Sequence, residues 1–264
     1  MQRYYDSKFD RLIYIGQAAT DQFWDEHWQT DDFRKAITSN PNSYVTKITK
    51  KYLSIGSRIL EGGCGQANNV YALHKYGFDV IGLDYASETV KKIKLNAPEL
   101  SIKLGDVRKL PFDDNYFDGY WSLGVIEHFW QSYDDIASEM ARVIRGGGYL
   151  FITFPMMSSL RQWKAKNNKF KKFEDFKSEP DGFYQFALSP NSVIQHFNSL
   201  GFELIHSKGL DGLKGIKDEI SFFNQLFKKM YNSNFFIVKV LRKFFDIITA
   251  RHCGHVILLV LRKK

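Results

Sequence analysis

Residues 58–85, RILEGGCGQANNVYALHKYGFDVIGLDY, contain two short apolar runs that each end on a carboxylate. The first run ends at Glu61 and the second at Asp84, and a glycine-rich turn followed by a helical pattern lies between them. This order predicts two parallel strands joined by a crossover helix, because parallel neighbours need a long connection. The two acidic residues would then lie side by side at the carboxyl edge of one sheet.

Apolar runs continue to alternate with helical patterns along the rest of the chain. The further runs that predict strands are LSIKLGD, YFDGYWSLG, YLFITFP, FELIHSKGL and HVILLVLRK. The helical patterns between them are SETVKKIKLN, for which Ser87 is the predicted N-cap, YDDIASEMARVIR and SPNSVIQHFNSLG. Strands and helices that alternate in this way predict an α/β fold with a mostly parallel sheet and helices on both faces.

Three segments fall outside this alternation. Residues 1–50 are aromatic and polar with weak helical periodicity, so we predict an N-terminal helical cap. Residues 51–264 form the predicted main domain, with insertions at residues 156–189 and 210–252. We expect these three segments to form the walls of a substrate site. The first of them offers several aromatic side chains for that purpose, namely Tyr4, Tyr5, Phe23, Trp24, His27 and Trp28.

The composition indicates a folded protein of a reducing compartment. Apolar residues make up 44% of the chain, which is enough for a substantial core. The two cysteines, Cys64 and Cys253, lie far apart and form neither a disulfide framework nor a metal-binding spacing. The N-terminus lacks the apolar segment of a signal peptide, so we expect a cytoplasmic protein. None of the seven histidines pairs with a cysteine or an acid at ligand spacing, and we predict no metal site.

The net charge of +8 is concentrated in the two insertions. Residues 161–177 contain seven Lys or Arg against two Asp or Glu, and residues 214–252 contain eight against three. Residues 220–248 also carry two apolar helical stripes, namely Ile220, Phe223, Leu226, Phe227 and Met230, and then Ile237, Val240, Leu241, Phe244, Phe245 and Ile248. Three interpretations remain open for these segments. They are packing on the domain or in a homodimer, peripheral contact with an anionic membrane, and contact with nucleic acid, which the lack of an RNA-binding module disfavours.

Glycines follow the first strand at the point where a parallel sheet binds its ligands. Gly62, Gly63 and Gly65 have no Cβ, so a ligand can approach the backbone of this turn. Asp84 follows Glu61 at about the 20-residue distance that separates a glycine loop from a ribose-binding carboxylate. This arrangement predicts a cofactor that carries a nucleoside.

The charge of Glu61 distinguishes among nucleoside cofactors. A dinucleotide site requires the pattern G-x-G-x-x-G, and Asn68 stands here in place of the last glycine. A carboxylate at Glu61 would repel a pyrophosphate, whereas it suits a cation. S-adenosylmethionine carries an amino group and a sulfonium and has no phosphate, so it fits this turn better than a dinucleotide.

Four segments resemble the motifs of class I S-adenosylmethionine-dependent methyltransferases, and in particular those of type 11. ILEGGCGQA and VIGLDYA resemble the first two motifs, and GDVRKLPFDDNYFDGYWSLGVIEHF and ARVIRGGGYLFITFP resemble the later ones in the same order. The resemblance covers residues 55–155 and implies a Rossmann-like sheet of seven strands, mostly parallel with an antiparallel last strand. It also implies that S-adenosylmethionine is the cofactor.

The resemblance assigns cofactor-binding roles to the residues that match these motifs. The methionine moiety would be lined by Glu61, Gly62, Gly63, Cys64 and Gly65. The nucleoside would be held by Asp84 at the ribose hydroxyls, by Tyr85 and Asp106 at the adenine, and by the backbone N–H of Val107. The sulfonium would lie over Ser122 and Leu123. Ala67 departs from the family, which usually has a glycine there.

His128, in GVIEHFW, is the candidate general base because it follows the fourth strand beside the predicted cofactor pocket. A structural role for Glu127 and His128 is the alternative. The chain has no Asn/Asp-Pro-Pro-aromatic sequence after that strand, which disfavours methylation of the exocyclic amino groups of nucleic-acid bases. We expect transfer to a small-molecule, sugar or lipid-linked acceptor, at oxygen. An RNA methyltransferase and a catalytically silent domain that binds a partner or membrane are the alternatives.

Overall fold

The structure is a computed structural model that describes residues 1–39, 44–173, 178–220 and 235–264. Within these ranges the strands are β1 (Gln2–Asp6), β2 (Arg11–Ile15), β3 (Arg58–Gly62), β4 (Asp79–Asp84), β5 (Ser101–Leu104), β6 (Phe117–Leu123), β7 (Ile144–Pro155), β8 (Lys171–Lys172), β9 (Phe183–Ala187), β10 (Phe202–Leu210) and β11 (Val256–Lys263). The helices are α1 (Asp21–His27), α2 (Phe33–Thr38), α3 (Tyr44–Tyr52), α4 (Asn68–Lys75), α5 (Ser87–Asn96), α6 (Asp134–Val143), α7 (Ser159–Lys166), α8 (Pro190–Ser199), α9 (Gly212–Glu219) and α10 (Phe236–Cys253), with a short 3-10 turn at Ile126–His128.

The main sheet has seven strands in the order β10-β11-β7-β6-β3-β4-β5. Strands β5, β4, β3, β6 and β7 are mutually parallel, and β11 runs antiparallel to both of its neighbours. The predicted mostly parallel sheet with an antiparallel last strand is therefore confirmed. The chain leaves β3 toward β4 on one side and returns to β6 on the other, so the strand order reverses between β3 and β6. A reversal of this kind opens a crevice for ligands at the carboxyl ends of the strands.

Strand β3 is buried on both faces, as expected for the centre of a parallel sheet. Leu60 packs against the helices of one face, which include α6 and α8, and Ile59 packs against α3, α4 and α5 on the other. On the second face Trp121 stacks on Phe151 with ring centroids 4.5 Å apart. Its indole N–H donates a hydrogen bond of 2.9 Å to Thr49 of α3, which satisfies the polar atom of this buried ring.

The first fifteen residues form a β-hairpin, so the expectation of a wholly helical cap is wrong for this part of the chain. Strands β1 and β2 pair antiparallel, and they are joined by β8 and β9 of the 156–189 insertion in a second sheet of order β8-β1-β2-β9. The sequence RLIYI buries Leu12 on one face and Ile13 on the other, which hides the alternation that a half-exposed strand would show. The division of the chain into a cap and a main domain stays a prediction.

Helix α5 is capped by a residue from the N-terminal segment. The prediction that Ser87 is the N-cap is wrong by one position. Ser87 is the first residue of the helix, and Ala86 occupies the cap position without a side-chain hydrogen bond. The carboxylate of Asp25 in α1 accepts hydrogen bonds from Thr89 N at 2.8 Å and from Thr89 Oγ1 at 2.7 Å. The start of α5 thus holds α1 against the carboxyl edge of the main sheet.

Helix α10 carries the second apolar stripe predicted from the sequence. Large apolar side chains on it are exposed, namely Phe236, Ile237, Val240, Leu241, Phe244, Phe245, Ile247 and Ile248. The first stripe lies outside the described residues from Phe223 to Met230. No helix in the described part of the chain is both long enough and apolar enough to span a membrane.

Candidate functional site

A cavity of about 470 Å³ opens at the carboxyl ends of β3, β4 and β6, where the strand order reverses. This volume falls within the range of small-molecule and cofactor sites. Eight predicted site residues line it, namely Gly63, Gly65, Asp84, Tyr85, Asp106, Val107, Leu123 and His128. The other four, Glu61, Gly62, Cys64 and Ser122, are buried and do not line it. Gly62 lies against the side chain of Tyr120.

The glycine turn forms one wall of this cavity, and two of its glycines have no permissible substitute. Gly63 adopts φ +74°, and a Cβ there would lie 2.6 Å from Cγ2 of Val125. Gly65 adopts φ +49°, and a Cβ there would lie 2.8 Å from Cζ2 of Trp28. Both the left-handed backbone and the close neighbours exclude a side chain. The bare backbone of this turn consequently faces the cavity, with the indole of Trp28 packed against it.

Asp84 ends β4 and fixes the glycine turn from the neighbouring strand. Its Oδ2 accepts a hydrogen bond of 2.8 Å from Gly65 N, and its Oδ1 accepts one of 3.0 Å from Ala86 N. Burial raises the pKa of the Asp84 carboxyl, while these backbone N–H groups oppose the shift. A carboxylate offers about four lone-pair positions, so Asp84 retains capacity to accept bonds from a diol.

Glu61 lies beneath the glycine turn and contacts the start of helix α4. Its side chain is almost fully buried, with 1% of the residue exposed. Oε1 accepts a hydrogen bond of 3.0 Å from Asn69 Nδ2, whereas Oε2 has no hydrogen-bond partner among the described residues. Burial, together with the charge of Asp84, raises the pKa of Glu61 to about 8. The site therefore holds a buried carboxyl with one unused oxygen, which an amino group or other cation would stabilise.

Cys64 and Ser122 are packed polar residues beneath the cavity. The thiol of Cys64 is buried, and burial raises its pKa well above that of a free cysteine, so it is a poor nucleophile. The hydroxyl of Ser122 is fully buried in β6 and lacks a partner within the described structure.

Asp106 is paired with Arg108, a residue that the sequence reasoning missed. Arg108 Nε lies 3.0 Å from both carboxylate oxygens, and its Nη2 lies 2.6 Å from Oδ2. This guanidinium holds the pKa of Asp106 below its usual range. Both side chains line the cavity near Tyr85. The signal that could have found Arg108 is its position two residues after the acid in GDVR.

His128 lies at the junction between the first cavity and a second one, in a fixed tautomer. Its Nδ1 is 2.6 Å from the carbonyl oxygen of Tyr184, and a carbonyl only accepts, so Nδ1 carries the proton. Burial lowers the pKa of His128 to about 4, despite this hydrogen bond. The ring is therefore neutral at physiological pH, with Nε2 as an unprotonated acceptor. The rings of Trp24 and Tyr184 pack edge-on against it.

Helix α1 of the N-terminal segment contributes a second set of lining residues. Trp24 and Trp28 both line the cavity and stack with ring centroids 6.0 Å apart. Gln66 Nε2 donates a hydrogen bond of 2.8 Å to the carbonyl of Trp28, which ties the end of α1 to the glycine turn. Lining residues that the sequence reasoning did not name are Ala19, Thr20, Asp21, Gly105, Gly124, Val125 and Phe129.

The second cavity, of about 610 Å³, adjoins the first. The two share Trp24, Trp28, Leu123, Gly124 and His128. Residues of all three predicted wall segments line the second cavity, among them Arg3, Tyr14, Tyr184, Gln185, Lys214 and Asp218. His128 and the backbone of Gly124 thus separate a site on the glycine turn from a site built by the N-terminal segment and the insertions.

Glu127 faces the second cavity from the 3-10 turn. It is buried, and its Oε2 finds no hydrogen-bond partner in the described part of the chain. Burial raises the pKa of Glu127 to about 8. No group of three or more His, Cys, Asp or Glu within the described ranges is arranged to hold a metal ion.

Comparison with known proteins agrees with this geometry. Residues 60–152 match the family described as a methyltransferase domain. A probable S-adenosylmethionine-dependent methyltransferase of Mycolicibacterium smegmatis is 34% identical over 100 residues, which cover 38% of this chain and 38% of that protein. A fatty-acid O-methyltransferase of the same organism is 32% identical over 102 residues, which cover 37% of each chain.

A solved structure shares the fold over most of the chain. The TehB-like SAM-dependent methyltransferase of Corynebacterium glutamicum superposes with a TM-score of 0.54 and 15% sequence identity, covering 92% of this chain and 98% of that one. The two curated relatives described above each match this chain over less than two fifths of their own length.

Proposed function

Since the chain carries a class I S-adenosylmethionine-dependent methyltransferase domain, we propose that the whole protein transfers a methyl group to a small-molecule, sugar or lipid-linked acceptor, at oxygen. The observation that carries this proposal is the pair of cavities that meet at His128. A methyltransferase needs one site for the cofactor and one for the acceptor, with a narrow junction at which the methyl group passes. The fatty-acid O-methyltransferase among the relatives supports oxygen as the acceptor atom.

The first cavity has the donors and acceptors that S-adenosylmethionine requires. Asp84 and Asp106 present carboxylates toward opposite parts of a nucleoside, and Tyr85 offers a ring beside them. Glu61 lies beneath the glycine turn with a free oxygen for the amino group of the methionine moiety. When bound, the cofactor supplies a methyl group on a positively charged sulfur. The bare turn of Gly63 and Gly65 would allow that moiety to approach the backbone closely.

His128 is the residue we assign to the acceptor's proton. Its unprotonated Nε2 is a hydrogen-bond acceptor at the junction, and its Nδ1 is held by Tyr184. A pKa of about 4 makes His128 a weak base, so it would take a proton only from an acidic hydroxyl and would otherwise orient the acceptor by a hydrogen bond. This role is compatible with an acceptor of the carboxylic acid or phenol type.

The tryptophans of α1 exclude water from the junction. Trp24 and Trp28 line both cavities, and Asp25 and Gln66 fix the helix and its end to the main domain. An apolar wall at this position would protect the sulfonium from water and keep the acceptor in line with it.

Calorimetric titration with S-adenosylhomocysteine, the demethylated cofactor, tests the cofactor site. We expect the wild-type protein to bind it and Asp84→Asn to bind about ten-fold or more weakly, because hydrogen bonds to a charged acceptor contribute about 1.5–3 kcal/mol. Asp79→Asn is the matched control, since it makes the same change at the other, exposed end of β4. Equal affinity of Asp84→Asn and Asp79→Asn would refute the assignment. Transfer of labelled methyl to fatty acids, sugars and RNA then distinguishes the acceptor classes, and binding without transfer to any of them favours the silent alternative.

We also propose that α10 makes peripheral contact with an anionic membrane. Its exposed apolar stripe includes Ile237 and Phe244, and Lys239 and Lys243 flank it on the same helix. An apolar face bordered by cations is the arrangement that binds a lipid surface without crossing it. This contact would bring the protein to a lipid-linked acceptor. Packing of the same apolar stripe in a homodimer is the alternative to membrane contact.

A further inference from the structure

A cluster of charges lies beside the second cavity, and it contains more cations than carboxylates. The side chains of Arg161 and Glu219 are 1% exposed at its centre, and those of Lys164 and Arg3 are 15% and 28% exposed. The carboxylate of Glu219 accepts hydrogen bonds from three cations, namely Arg161 at 3.0 Å, Lys164 at 2.8 Å and Arg3 at 2.6 Å. One carboxylate thus holds three positive groups. The buried Arg161 uses its other donors on the carbonyl oxygens of Met156 and His255 and on the His255 ring. Arg3 is only partly shielded from water, and a further anion would stabilise its charge.

The second carboxylate of the cluster does not remove this excess. Asp218 lies 3.2 Å from Nδ1 of His255, and burial lowers the pKa of His255, so the imidazole carries no charge at neutral pH. Lys214 also faces Asp218 across the wall of the cavity. Together these groups comprise four permanent cations and two carboxylates, namely Arg3, Arg161, Lys164 and Lys214 against Asp218 and Glu219. Lys214 is exposed at the cavity wall, and Lys217 also acts on Asp218.

A buried hydroxyl lies next to these cations without a hydrogen-bond partner. Tyr14 is 7% exposed and lines the second cavity. Its buried hydroxyl lies near the guanidinium of Arg3 without an aligned hydrogen bond, and its proton has no acceptor among the described residues. A buried hydroxyl donor is normally satisfied. Arg3, on the neighbouring strand, pairs with Tyr14 in the hairpin and lines the same cavity. Arg3 uses Nη1 for Glu219 and has further N–H donors available for a second partner.

One kind of ligand group would satisfy the side chains of Arg3, Tyr14 and Lys214. All three are hydrogen-bond donors, and Arg3 and Lys214 also carry a positive charge. A group that accepts several hydrogen bonds and carries a negative charge satisfies all three, as carboxylates and phosphates do. A neutral sugar hydroxyl would leave the excess charge unbalanced.

Building on the proposed function, we propose that the second cavity binds the methyl acceptor through an oxyanion, a carboxylate or a phosphate, held by Arg3, Tyr14 and Lys214. The reacting oxygen of the acceptor then lies at the other end of the cavity, beside Glu127 and His128. The oxyanion acts as an anchor and takes no part in bond formation. The acceptors selected are acidic molecules that carry the anion at a distance from the methylated oxygen.

Titration of two anions and a neutral control tests this site directly. The probes are inorganic phosphate, hexanoate and hexanol, and each is titrated by tryptophan fluorescence into the full-length protein with and without S-adenosylhomocysteine. We expect phosphate and hexanoate to bind and to compete with one another, and hexanol to bind at least about ten-fold more weakly than hexanoate, as a charge-assisted hydrogen bond requires. Tighter binding of phosphate would indicate a phosphorylated acceptor, and tighter binding of hexanoate a carboxylated one.

Three variants connect the binding to the proposed residues. Arg3→Gln and Lys214→Gln should each weaken anion binding about ten-fold, and Tyr14→Phe about three-fold to ten-fold, because each removes one donor to an anion. Arg34→Gln is the matched control, since Arg34 pairs with Glu99 on the surface far from the cavity. Tyr14→Phe removes a single oxygen and keeps the ring, so it tests the site even where the charge variants disturb the fold.

Different results would refute the cofactor site and the oxyanion site. Absence of S-adenosylhomocysteine binding with retained anion binding would refute the cofactor site alone. Anion binding that is unchanged in all three variants, or hexanol that binds as tightly as hexanoate, would overturn the oxyanion site whatever the cofactor result.

Discussion

Substitution of Gly65 by alanine should disrupt the glycine turn and the cofactor site together. Gly65 adopts φ +49°, and a Cβ would lie 2.8 Å and 2.9 Å from two ring atoms of Trp28. The left-handed backbone costs an alanine about 1–2 kcal/mol. Displacement of the packed indole adds about 1–3 kcal/mol, as is typical when a side chain is forced into a filled space.

Gly56 provides a control that separates these two contributions. It adopts φ +83°, but a Cβ there would meet nothing within 4 Å. Gly56→Ala should therefore cost only the backbone contribution and lower the melting temperature by about 2–8 °C for a chain of this size. Gly65→Ala should lower it by roughly twice as much and also weaken S-adenosylhomocysteine binding, because Asp84 holds Gly65 N at 2.8 Å.

Thermal melts and calorimetric titrations of both variants measure the difference. In the double variant Gly65→Ala with Trp28→Ala, the space that the methyl group needs is open, so its free energy of unfolding should exceed that expected from the two single losses. The reasoning is refuted if Gly65→Ala costs no more than Gly56→Ala, or if the removal of Trp28 gives no such relief.

Two further predictions concern pH and membranes. Because the pKa of Glu61 is raised to about 8, the folded state binds a proton that the unfolded chain releases above about pH 4.5, so the cofactor-free protein should lose stability as pH rises from 5 to 9. Glu61→Gln should reduce this slope in thermal melts at pH 5, 7 and 9, and an unchanged slope would contradict the burial argument. The wild-type protein should co-sediment with anionic phosphatidylserine vesicles at low salt, and Phe244→Glu on α10 should release it, whereas Phe9→Glu, at an exposed site on the hairpin loop, should not. Equal binding of both variants would exclude α10 as the membrane contact.

The sequence alone predicted the main sheet because its signals are local. The apolar runs at β3 and β4, the glycines between them and the acidic residues at their ends are all close in sequence. Parallel topology then places Glu61 and Asp84 at one edge without further information. The same argument predicted the wall of the cofactor cavity that the glycine turn and Asp84 form, whereas the wall of Trp24 and Trp28 comes from the N-terminal segment.

The sequence indicated which segments wall a second site, but the hairpin and the contacts that shape the second cavity could not be predicted, because they depend on pairing between distant parts of the chain. Strand β2 pairs with β9, which lies about 170 residues later in the chain. Burial of β2 on both faces removes the alternation that would identify a strand. The pairing of Arg3 with Glu219 is likewise set by tertiary contact and has no local signal.

The direction of Glu61 also could not be predicted, and its position has a consequence for the cofactor. The sequence suggested a carboxylate that faces the ligand, whereas the structure directs Oε1 to Asn69 and leaves only Oε2 unused beneath the turn. Burial raises the pKa of the carboxyl groups of Glu61 and Asp84, so burial destabilises the charged form of both acids at this turn. A positively charged cofactor offsets this cost, whereas a phosphate-bearing one would increase it. The cost of burying these two acids thus favours a cationic sulfonium cofactor over a dinucleotide.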